Sequence, residues 1–224
     1  FPLPFNLNQY YDSKPMSTLG TLIGYEGKGS LLSFLKEKGL ATGLMAGGSS
    51  DTPDYGSANI RIQLTEKGVR NYQQVLEYFF SYIDMLKKEG YEEYLFYEQQ
   101  TVAKLEEVFS DKGEGTWKAV SFANNLAFYP VEIAHRVEYH YGNPDPDAYL
   151  KTLSFIHPDN MLCVLSDSEQ ETPFEEFWYK SKYNYEEKKG DEYDVLKNPK
   201  LYSSLHLPDA NPFLPENANL LPEP

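Results

Sequence analysis

The sequence predicts an α+β fold, a two-layer α/β sandwich with helices on one face of a mainly antiparallel sheet. Three observations carry this. Residues Ser57–Leu64 alternate, with Ala58, Ile60, Ile62 and Leu64 on one side and Asn59, Arg61 and Gln63 on the other, the period of a half-buried strand. Val69, Tyr72, Leu76, Phe79, Ile83 and Leu86 recur at steps of three and four, which makes one face of a helix. The order of elements is a strand, helices, a strand pair, long helices and a strand. Helices grouped in this way cover one side of a sheet instead of alternating with its strands.

The 224 residues are within reach of one domain, and 41% hydrophobic and 15% aromatic content can build a sizeable core. A net charge of −14 disfavours nucleic acid and anionic membrane surfaces, and would suit basic peptides. No apolar run approaches the ~18 residues of a membrane-spanning helix. The single cysteine, Cys163, excludes an internal disulfide. No signal peptide or glycosylation sequon is visible, so the compartment stays open.

Taken in order, Phe1–Gln9 holds Pro2 and Pro4 and reads as an edge strand. Tyr10–Pro15 turns into an apolar helix broken by Gly24, Gly27 and Gly29. Ser30 stands where an N-cap belongs, Leu31–Glu37 forms a short helix, and Gly39 caps it. An apolar run, Leu40–Ala46, ends in Gly47–Gly48 and is followed by a loop, Ser49–Asp54. After the strand to Leu64, Thr65 starts a helix about 30 Å long that ends at Gly90. A helix from Glu92 to Phe109 carries the stripe Tyr91, Leu95, Glu98, Val102, Leu105, Phe109. Glu98 is its one carboxylate and needs a partner there.

Glu114–Phe128 is a third amphipathic helix, with Trp117, Val120, Phe122 and Leu126 apolar. Pro130–His140 and Pro144–Ile156 are shorter helices. Met161–Ser166 reads as a buried strand with Cys163 as a buried thiol. Glu186–Pro199 is polar and solvated. The glycine-rich stretch is no phosphate cradle, since Lys28 is followed by Gly29 and a helix precedes it.

The block L-I-G-Y-E-G-K-G-S-L-L-S-F-L-K-E-K-G-L-A, from Leu22 to Ala41, resembles the LIGHEGxGSLLSxLKxKGWA segment of the insulinase/pitrilysin family of zinc metallopeptidases. The likeness continues through T-E-K-G at Thr65–Gly68, Tyr129-Pro130, Trp178-Tyr179 and Leu207-Pro208 to Phe213-Leu214-Pro215. It implies a single non-catalytic domain over residues 1–224, the second domain of the family's N-terminal half. Phe1-Pro2-Leu3-Pro4 resembles a strand end inside that domain, so a fragment lacking its first strands is expected, with self-association through the open edge.

The family holds zinc by H-x-x-E-H, whose two His must share a helix face. Here His135 and His140 are five apart, which turns them about 140° from each other. If the family's related domains are superposed, Thr21, Gly24 and Tyr25 fall in the H-x-x-E-H slot, Glu98 matches a carboxylate on the second helix, and Leu105 falls where the third ligand stands. No catalytic residue, metal ligand or cofactor is therefore expected in this chain, and Zn2+ belongs to the catalytic domain of a longer protein. The resemblance further implies peptide binding at Thr21, Gly24, Tyr25, Gly27 and Gly29, and along Leu44, Ala46 and Gly47. Leu40–Gly48 would be an edge strand that a substrate strand extends by main-chain hydrogen bonds. The alternative is a purely structural or interface domain of a catalytically inactive homologue. Partners under either reading are other domains of the same protease.

Overall fold

The computed structural model describes residues 1–215 apart from positions 51, 112, 170 and 188. Strand β1 (Pro2–Leu3) leads through a short 3-10 turn into α1 (Pro15–Ile23) and α2 (Leu31–Glu37). Strands β2 (Ala41–Ser49) and β3 (Gly56–Leu64) follow, then α3 (Glu66–Arg70), α4 (Tyr72–Glu89) and α5 (Glu93–Phe109). Helices α6 (Gly115–Asn125), α7 (Val131–Ala134) and α8 (Pro146–Ser154) come next. The chain closes with a two-stranded hairpin, β4 (Phe174–Glu175) with β5 (Lys182–Tyr183), and the single turn α9 (Asp191–Asp194). The fold is the expected α+β class.

The main sheet is antiparallel in the order β1-β3-β2. Its register sets Ala46 opposite Ile60 and Leu44 opposite Ile62, with an irregularity between Ala41 and Gly43. β2 is therefore an edge strand among the described residues, as the sequence implies.

The cap signals work as read. Ser30 accepts from the N–H of Ser33 at 3.0 Å and starts α2. Gly39 ends it at φ +67°, while Leu40 N–H reaches back to Leu35 O at 2.9 Å, a Schellman closure that relies on a left-handed residue. Thr65 caps α3 by accepting from Gly68 N–H at 3.0 Å. The expected single long helix is divided here, because Asn71 leaves helical geometry at φ −124° and α4 begins afresh.

One continuous core joins α1, α2, α4, α8 and the sheet, through Leu19, Leu22, Leu35, Leu44, Phe79 and Leu153. Tyr78 through Ile83 are all buried, so α4 is wrapped on nearly all sides and its apolar stripe is wider than the heptad pattern suggests. The Tyr82 hydroxyl donates to Leu22 O at 2.9 Å and ties α4 to α1.

Other expectations fail too, and Leu196, in the stretch expected to be solvated, lies in the core at 6% exposure. Met161–Ser166 forms no strand, with Leu162 at 72% and Val164 at 79% exposure, and Cys163 is exposed instead of buried. A strand needs a ladder partner, and residues 161–166 join neither sheet, although β1 pairs with β3 only at Gly56 and Ser57. Residues 161–165 instead flank an apolar groove of about 140 Å³ beside Ile60, Ile62 and Phe79. Helix α6 does form, but its apolar side faces solvent, with Trp117 at 70% exposure. The turn of the β4–β5 hairpin likewise exposes Phe177 and Trp178.

Candidate functional site

The site grows from a close crossing of α1 over β2. Gly20 makes the crossing possible, since a Cβ there would stand 3.0 Å from Ala46 O. Gly24 is the C-cap of α1, donating to Gly20 O at 2.8 Å. A Cβ on it would meet Gly20 O at 2.9 Å and lie 3.9 Å from Ala46 N. Two glycines on one helix face thus hold the backbone of β2 against α1.

Beside this crossing lies a cleft of about 570 Å³. Thr21 of α1, and Ala46 and Gly47 of β2, line it. The opposite wall comes from Tyr10, Tyr11 and Lys14 before α1, and from Tyr129, Val137 and Glu138. Sequence reading did not anticipate that wall. Its one visible signal is Lys14-Pro15 at the helix start, because proline is favoured in the first helical turn. Lys14 itself is left-handed, at φ 41° and ψ 56°.

A short strap, residues 137–142, closes the far side of the cleft and is held to the loop before α1. The Lys14 ammonium donates to Val137 O and Glu138 O, each at 2.8 Å. It also lies 4.3 Å from the centre of the Tyr141 ring. Gly142 N–H donates to Asp12 O at 3.0 Å, and His140 Nε2 meets Asp12 Oδ1 at 2.5 Å. Burial pushes the Lys14 ammonium down to about 8, against a smaller opposing pull from Glu138.

The other expected residues lie apart from the cleft. Tyr25 follows the end of α1, and its ring covers Gly27, where a side chain would collide with the phenol. Gly29 is left-handed at φ +85° and abuts His206. Leu44 is 6% exposed, so its side chain belongs to the core and only its backbone can face a ligand. The structure therefore gathers Thr21, Ala46 and Gly47 at one cleft, sets Gly24 behind them, and leaves Tyr25, Gly27 and Gly29 at the neighbouring helix break.

Thr21, Gly24 and Tyr25 do not fit a zinc ion, having neither imidazole nor carboxylate. No group of three or more His, Cys, Asp or Glu among the described residues could hold a metal. The histidines have other partners. His140 is taken by Asp12, and His135 packs edge-on to Phe122 at 6.5 Å. Glu98 is half-buried and accepts from the N–H of Asn211 at 2.6 Å, so the carboxylate on the apolar stripe has the partner it requires.

The comparisons assign this α+β unit to the metallopeptidases, through family models described as an inactive domain and a middle or third domain. The inactive domain of peptidase M16 matches residues 2–103, and the middle or third domain of peptidase M16 matches residues 108–224. The chain belongs to the peptidase M16 family, the insulinase/pitrilysin group.

It is 33% identical over 216 residues to human insulin-degrading enzyme, covering 96% of this chain and 21% of the relative. It is 32% identical to a nardilysin-like protein of Arabidopsis thaliana, covering 93% of this chain and 21% of the relative. The A-factor-processing enzyme of Saccharomyces cerevisiae is 31% identical, at 97% and 21%. The crystal structure of pitrilysin superposes with a TM-score of 0.90 at 22% identity, over 97% of this chain and 23% of that one. The chain thus spans about a fifth of the length of the relatives it matches.

Proposed function

We propose that residues 1–224 act as one non-catalytic, substrate-binding unit of an insulinase-like zinc metalloendopeptidase, with zinc and hydrolysis supplied by another domain. The observation that carries this reading is the edge of β2. It pairs on one side only among the described residues, with β3, and the cleft opens along Ala46 and Gly47. An extended peptide can add there by main-chain hydrogen bonds, which need little from peptide sequence. The net charge of −14 favours basic peptides. With one wall of a larger chamber, affinity is expected at ~0.1–1 mM.

Titrating the isotopically labelled chain with an unstructured basic peptide tests this by NMR. Shifts should cluster at Thr21–Gly29 and Leu44–Gly47. Their absence at millimolar peptide, or their confinement to residues 186–199, overturns it.

The rival reading is a structural or interface domain of an inactive homologue. The exposed apolar side of α6 and the hairpin residues Phe177 and Trp178 support contacts with further domains or a second copy. Sedimentation of the chain with and without peptide separates the two readings: concentration-dependent association without peptide binding favours the interface.

A further inference from the structure

We infer that the cleft beside Ala46 and Gly47 is a pocket for one aromatic side chain of the bound peptide, walled by Tyr11 and Tyr129. This rests on the peptide-edge reading above and adds a specificity to it.

The pocket has an open floor. Gly47 and Gly48 line it without side chains, so the strand presents bare backbone to the cleft. A peptide paired along β2 sends alternate side chains to opposite faces, and one set points over this floor. At about 570 Å³ the space admits a ring.

The walls suit a ring rather than a charge. Tyr11 and Tyr129 stand perpendicular, with centroids 6.2 Å apart at 87°, and offer a third ring both an edge and a face. Pro15 and Val137 add aliphatic surface. The cation nearest the cleft is already committed, because Lys14 Nζ holds Val137 O and Glu138 O. The Tyr129 hydroxyl donates to Asn8 Oδ1 at 2.8 Å. An acidic side chain would therefore find no open cation here, and would meet the exposed carboxylate of Glu138 at the rim.

The test uses the whole 224-residue chain and a set of basic, Ala/Ser-rich decapeptides. Each carries a single Phe at a successive position, with Ala, Glu and Arg controls at the best one. One Phe position should tighten binding about tenfold over Ala, as expected for burying part of a ring, and should add shifts at Tyr11, Tyr129 and Val137. Glu should bind no better than Ala. Tyr11→Leu removes a wall, and Val137→Phe fills the space from the strap. Either variant should bring the Phe advantage, taken as the ratio of Phe to Ala affinity within that variant, below about twofold.

The outcomes separate cleanly. If the Ala peptide binds and no Phe position helps, the pocket is overturned and the peptide-edge reading stands. A larger gain from Arg than from Phe overturns the aromatic assignment, as does a Phe advantage that survives in both variants. If no peptide binds, the peptide-edge reading falls first. N-acetylphenylalaninamide alone then decides the pocket: shifts confined to Tyr11, Tyr129 and Val137 support it, and none at the solubility limit overturns it.

Discussion

The imidazole of His206 occupies the space where a side chain on Gly29 would begin. His206 N–H also donates to Gly29 O at 3.1 Å. The segment after Leu205 is thereby clamped to the helix break before α2. Nearby, the Tyr94 hydroxyl donates to Pro208 O at 2.6 Å, and Glu98 holds Asn211.

Gly29→Ala should consequently destabilise the chain by about 2–3 kcal/mol. Part is the left-handed backbone, about 1–2 kcal/mol for a residue with a Cβ, and part is displacement of the ring. His206→Ala alone should cost under ~1 kcal/mol. The double variant should recover the steric part and retain the backbone part, giving a coupling measurable in urea titrations. Strict additivity would show that the ring and the glycine do not share space.

Lys14 sets a pH dependence of definite sign. Its folded value, about 8, lies below the ordinary 10.5. Between these the unfolded chain binds the proton more tightly, so stability rises with pH across that window. The buried tyrosines act oppositely and higher. Burial holds Tyr82 and Tyr149 well above 10, and their contribution is lost only as the unfolded tyrosines ionise above about 10. From pH 8 to 10, wild type should therefore gain urea midpoint relative to Lys14→Met. A constant difference across that range would contradict the assignment.

Glu98→Gln keeps an acceptor for Asn211 N–H but loses the charge, so a change under about 1 kcal/mol is expected. Glu98→Ala removes the acceptor and should loosen the segment near Asn211. Limited proteolysis should then cut that segment sooner, with peptide affinity unchanged. Lost affinity at unchanged proteolysis would assign Glu98 to the binding site instead.

Zinc should not bind at one equivalent. Thr21, Gly24 and Tyr25, which the family resemblance sets in the ligand slot, offer no ligand set. Elemental analysis after dialysis against zinc at neutral pH should find far less than one ion per chain. A tight stoichiometric ion would overturn this reading.

Much of the fold is legible because its signals are local. Ser30, Gly39 and Thr65 act through hydrogen bonds within a few residues of themselves, so their chemistry is visible in sequence. The alternation at Ser57–Leu64 fixes which side faces inward. The family segment around Gly24–Gly29 brought Thr21, Ala46 and Gly47 into view, and the structure sets these three on one cleft. Leu44 shows the limit, since a strand pattern gives no warning that its side chain turns into the core while its neighbours stay open.

What the sequence by itself determined is the periodicity, the caps, the charge and the missing zinc ligands, all properties of neighbouring residues. Tertiary structure alone decided three things. Met161–Ser166 joins neither sheet, because an apolar run does not specify the ladder partner that completes a strand. The helix after Glu114 turns its apolar side outward because amphipathicity names no partner. And Lys14 closes the cleft from 123 residues away from Val137, a contact no local pattern encodes, because it exists only when the ends of two separate segments are brought together by the packing of the core between them.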